Sequence, residues 1–156
     1  MSLQEHLKEL NQLHKSLRTA LTTGDGEEEA IHLFFALHSQ LHSRLVSPNT
    51  PWSYEDLLLE GLDEAQFRKI PERQEHSLAW IVWHLSRVED VTMNCLVAGC
   101  QQIFERGGWQ EKIRSPIKHT GNGTGLDVVG ALSAVVDINA LRAYRVAVGV
   151  ATQEIV

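Results

Sequence analysis

Cysteine is scarce in this chain. Cys95 and Cys100 are the only two among 156 residues, too few for the disulfide framework of a small secreted fold. A chain of this length buries roughly 70% of its unfolded surface and needs no such staple. Basic charge is also short: 14 Lys and Arg face 20 Asp and Glu, for a formal net charge of −6. A general binder of phosphate backbones carries a basic field, so no nucleic-acid partner is expected. The short basic cluster Lys112, Arg114 and Lys118 falls in a stretch rich in proline and glycine. Apolar runs never reach the ~18 residues of a membrane span. The start, Met1-Ser2-Leu3-Gln4-Glu5-His6, lacks the apolar core of a signal peptide. These absences predict a cytoplasmic protein with reduced thiols and no membrane partner. No alternating strand pattern and no internal repeat stand out.

What is present is helical periodicity in an ordinary globular composition, 43% hydrophobic and 22% charged. Leu3, Leu7, Leu10, Leu17 and Leu21 recur at helical spacing and predict a helix over 3–22 with one buried face. Thr22-Thr23-Gly24-Asp25-Gly26 breaks it. A second helix starts at Glu27, whose neighbours Glu28 and Glu29 suit the positive end of the helix dipole. Its stripe is Ile31, Phe34, Phe35, His38, His42 and Leu45, and Ser47-Pro48 ends it.

Residues 52–75 read as a connector in which Ser53 caps a short helix with Leu57, Leu58 and Leu59, and Glu72-Arg73-Gln74-Glu75 is solvated. From Ser77, a plausible N-cap, to about Phe104 the pattern predicts one long helix, apolar nearly all round. A long loop over 107–126 follows, uncommon in length unless it has a task. A short helix is expected at 126–134. A last helix is capped by Asp137, with Leu141, Tyr144, Val148 and Ile155 inward. The expected architecture is a single all-α domain over 1–156, a four-helix bundle.

Histidine is plentiful, with eight residues. His38 and His42, at i and i+4, project from one helix face and can chelate one ion. The competing reading is a pair of core or interface histidines bonded to neighbours. His84 sits mid-helix between Trp80 and Val88, where a neutral imidazole needs partners for both nitrogens. A metal supplies one and a carboxylate often the other; Glu89 and Asp90 are near but off the ideal face. The competing reading is a satisfied core histidine. Cys95 lies in an apolar helix, where thiols are usually inert packing groups. Gly121-x-Gly123-x-Gly125 follows no strand and is no dinucleotide fingerprint.

The block His76-Ser77-Leu78-Ala79-Trp80-Ile81-Val82-Trp83-His84-Leu85-Ser86-Arg87-Val88-Glu89-Asp90 resembles the signature helix of the DinB/YfiT-like superfamily, and the resemblance extends over about 28–156. It implies a four-helix bundle, often dimeric, with a divalent metal such as Zn²⁺ or Ni²⁺ on three histidines. It also implies a thiol-dependent transferase or isomerase whose partner is a low-molecular-weight thiol. Only His84 transfers by position. The family's usual His-x-x-x-His on the last helix is missing; Tyr144 and Arg145 stand there instead. Either that site is lost or the chain is truncated at its C-terminal end. His42 and His38 have the right spacing on a different helix, which makes His84, His42 and His38 the expected metal ligands. The competing expectation is a non-catalytic helical homodimer that lacks the complete site.

Overall fold

The computed structural model describes residues 3–23, 26–72 and 76–156. The expected break at Gly24-Asp25 and the solvated Arg73-Gln74-Glu75 lie outside them. All regular structure among the described residues is helical, with no strand. The chain divides into two compact units: one runs to Glu60 and takes in Val156, the other spans Gly61–Ile155.

The first unit holds α1 (Leu3–Thr23), α2 (Glu27–Leu41) and α3 (Tyr54–Leu59). α1 packs on α2 through Leu13, Leu17 and Ala20 against Ala30 and Leu33. The expected leucine face of α1 is not buried along its length, since Leu3, Leu7 and Leu21 are exposed. With 21 residues against 15 for α2, α1 outreaches its neighbour. α2 stops at Leu41 rather than running on to Leu45. His42 leaves the helical region at φ −105° and ψ 160°. Beyond it the backbone N–H groups find side-chain acceptors: Arg44 N–H donates to Asp56 Oδ2 at 3.0 Å, and Leu45 N–H to Ser43 Oγ at 3.3 Å. α3 starts as its sequence dictates, with Ser53 Oγ accepting the Asp56 N–H at 3.0 Å.

The second unit begins with α4 (Glu64–Arg68), opened by a reciprocal capping box between Asp63 and Gln66. α5 (Leu78–Asp90) follows, capped by Ser77, whose hydroxyl accepts the Trp80 N–H at 3.0 Å. The expected single helix from 77 to 104 is corrected here. At Val91 the chain widens into a π-helical segment, Val91–Val97, closed by the i→i+5 bond from Ala98 N–H to Met93 O at 2.9 Å. Gly99 then turns with φ +63°, a conformation that glycine adopts without strain. A separate α6 (Ile103–Arg106) begins where Asp90 accepts the N–H groups of Ile103 and Phe104, each at 2.8 Å.

The expected long loop contains α7 (Trp109–Ile113). α8 (Leu126–Val135) and α9 (Ile138–Ile155) complete the unit, and Asp137 Oδ1 accepts the Ala140 N–H at 2.9 Å. α5 lies along α9, and Trp83, Leu132, Leu141, Tyr144 and Val148 are fully buried. Ile155 is only half-buried. The all-α class stands, built from nine α-helices and a π segment among the described residues.

Candidate metal and polar centres

In the first unit, His38 sits in the last turn of α2 and His42 is its C-cap, its N–H donating to His38 O at 3.1 Å. Both are buried, at 8% and 2% exposure. Their rings stack at 4.2 Å, and His38 stacks in turn on Phe34 at 5.4 Å. Ring nitrogens of the two histidines lie within 4.8 Å of each other, a span that two ligands of one cation can have. The pair also stands at the C-terminal end of α2, where the helix dipole favours positive charge. The chemistry of this donor set therefore fits a divalent ion.

In the second unit, His84 is half-buried and stacks on Trp80 at 4.5 Å. Its Nδ1 lies 2.6 Å from the Thr120 carbonyl oxygen. A carbonyl can only accept, so Nδ1 carries the hydrogen, and in the neutral ring Nε2 presents its lone pair. That tautomer is the one a ligating histidine takes when its other nitrogen is anchored. The anchor is a backbone carbonyl rather than the nearby carboxylates. His38 and His42 belong to the first unit and His84 to the second.

The two carboxylates beside His84 have other work. Glu89, a half-buried acid, accepts from Arg145 Nη1 at 3.1 Å and Thr152 Oγ1 at 2.8 Å. Its oxygens are thus oriented, and it has the chemistry of a metal ligand. Asp90 has no exposed surface. Its Oδ1 accepts from Asn94 Nδ2 at 3.0 Å and Ile103 N–H at 2.8 Å. Its Oδ2 accepts from Phe104 N–H at 2.8 Å, Tyr144 O–H at 2.6 Å and Arg87 Nη1 at 3.2 Å.

Burial pushes the Tyr144 hydroxyl far above its ordinary pKa of 10.0, and Asp90 pushes the same way against the opposing Arg87 charge. Tyr144 therefore remains a proton donor at any physiological pH. Sequence reasoning did not foresee this network. Its signal was present in charged residues closing an apolar helix, Arg87 and Asp90 three apart, and in Tyr144 and Arg145 on the last helix.

The sequence profile of the DinB superfamily matches residues 52–153, well over half of the chain. The chain belongs to the DinB superfamily. No curated protein and no solved structure matches it. The DinB match takes in His84, Glu89 and the Asp90 network, whereas His38 and His42 precede its first residue. α9 carries no histidine, so the pair implied by the family resemblance for the last helix is missing from it.

Proposed function

We propose that this DinB-superfamily chain binds one divalent metal ion through histidine nitrogens and serves a thiol-dependent transfer or isomerisation of a small molecule. The observation that carries the reading is the buried, stacked pair His38 and His42, with ring nitrogens within 4.8 Å. The imidazoles proposed for the ion are those of His38 and His42; His84, anchored by the Thr120 carbonyl in the second unit, is a separate candidate ligand. A bound Zn²⁺ or Ni²⁺ supplies a charge that lowers the pKa of a thiol or water. The chain's own part is to orient the imidazoles, as the Thr120 carbonyl does for His84 by accepting from its Nδ1.

The test is zinc titration by calorimetry on untagged protein, followed by a thiol-transfer assay with and without the ion. One site per chain is expected, and His38→Ala and His42→Ala should each weaken it by about tenfold or more. His84→Ala tests that separate candidate on its own. Zinc affinity unchanged in both His38→Ala and His42→Ala contradicts the reading.

A second reading, a non-catalytic homodimer, draws on one observation. Ile81 and Leu85, one helical turn apart on α5, are exposed, as is Leu96 on the π segment. Symmetric dimers commonly pair through such a face. Light scattering at micromolar concentration is expected to give a dimer, which Leu85→Glu should split; a wild-type monomer rejects this reading.

A further inference from the structure

The stretch between α7 and α8 walls one side of a cavity of about 610 Å³ in the second unit. Sites for small molecules typically measure about 300–1,000 Å³. Arg87 and Phe104, each 3% exposed, also line the cavity, with the guanidinium 4.0 Å above the ring. Arg87 itself has nothing left to give a ligand. Its Nε and Nη2 donate to the Lys118 carbonyl at 3.2 and 2.7 Å, Nη2 also to Gln102 Oε1 at 2.6 Å, and Nη1 to Asp90 and Tyr144. These bonds account for all five guanidinium hydrogens, and Asp90 balances the charge.

The groups that remain carry both signs. Glu105 on α6 and Glu111 on α7 line the cavity, as do Lys118 and His119 from the segment between α7 and α8. His119 Nδ1 accepts the Gly121 N–H at 3.1 Å, so Nε2 carries hydrogen and donates. Because Arg87 holds Gln102 Oε1, the Gln102 amide nitrogen is the end left for a ligand. A purely anionic ligand would meet Glu105 and Glu111, and a purely cationic one would meet Lys118. Each mismatch selects against that class.

We propose that this cavity binds a small zwitterion of the amino-acid or short-peptide class. Its carboxylate is received by Lys118, His119 and the Gln102 amide, and its ammonium faces Glu105 and Glu111. This site stands independently of the metal reading. The test is calorimetric titration of the full chain with L-alanyl-L-leucine, its N-acetylated form and its C-amidated form.

The free dipeptide is expected to bind, and each blocked form to bind at least about tenfold more weakly, as the loss of one charge-assisted contact implies. Lys118→Ala should abolish the penalty for amidation, and Glu111→Gln should reduce that for acetylation. Both side chains are exposed, and thermal melts confirm that the variants fold. Binding should persist after chelator treatment. No binding up to about 10 mM, equal binding of the three forms, or loss of binding with chelator overturns the proposal.

Discussion

Asp90 receives five donors on a carboxylate with no exposed surface. Three come from side chains of α5, the π segment and α9, and two are the backbone N–H groups that open α6. Removing one partner of a buried pair leaves an uncompensated charge. Asp90→Asn is therefore expected to destabilise the protein by about 3–5 kcal/mol, read from urea unfolding; a loss below about 1 kcal/mol would show the pair to be dispensable. Tyr144→Phe removes one hydroxyl that both donates to Asp90 and accepts from Arg87, and should cost about 1–3 kcal/mol.

Asp56, in the first unit, gives a pH test. Partial burial pushes its carboxyl up, but the Arg44 backbone N–H, the Ser43 and Ser53 hydroxyls and the Arg44 guanidinium outweigh that and hold it below its ordinary 3.8. A depressed folded pKa contributes stability above the unfolded value, and that contribution disappears as pH falls through the folded value. Thermal melts of Asp56→Asn should therefore depend less steeply on pH below about pH 5 than wild type. Parallel curves would contradict the assignment. The residues behind these effects were partly legible. Ser53 reads as a cap from its place before an apolar run, whereas the Arg44–Asp56 link spans 12 residues and leaves no periodic trace.

The helix starts were the most legible of the elements. Ser53, Ser77 and Asp137 each cap the helix that the pattern assigns to them, because a cap is a local bond between residues three apart. Helix ends were less so. α2 stops at Leu41 because Ser43 and Asp56 take the next N–H groups. α5 gives way to a π turn before a new helix that a distant acid, Asp90, opens. Apolar periodicity runs straight through both sites, so neither end shows in the pattern.

Ser77 also bonds Ser133 Oγ at 2.6 Å in a fully buried position. Ser77→Ala should then lose a cap and the bond to Ser133, whose hydroxyl still donates to the Val129 carbonyl at 2.6 Å, costing about 1–2 kcal/mol in chemical denaturation. A change within about 0.5 kcal/mol would mean that the cap is redundant. Gly121 marks where the 118–125 segment meets α5. It holds φ +91°, and a Cβ there would sit 2.8 Å from Trp83 Cζ3. Gly121→Ala should cost more than about 1 kcal/mol and disturb the Thr120 carbonyl that fixes the His84 tautomer.

For the whole molecule, the acidic balance and the all-helical class were legible in composition and periodicity, and the described residues contain no helix long and apolar enough to cross a membrane. The family was legible in the block around His84, and the DinB profile covers it. The division into two units was not, because no glycine- or proline-rich linker separates Glu60 from Gly61. The pairing of His38 with His42 was legible as spacing, but their place at a helix end was not.

The proposed role of His38 and His42 is to hold a metal. The direct measurement is elemental analysis of the full chain, purified without a tag or nickel column, beside the His38→Ala/His42→Ala double variant. About one zinc or nickel per wild-type chain and a large loss in the variant are expected. Metal-free wild-type protein that takes up neither ion on soaking, or a double variant that retains the metal in full, would contradict it.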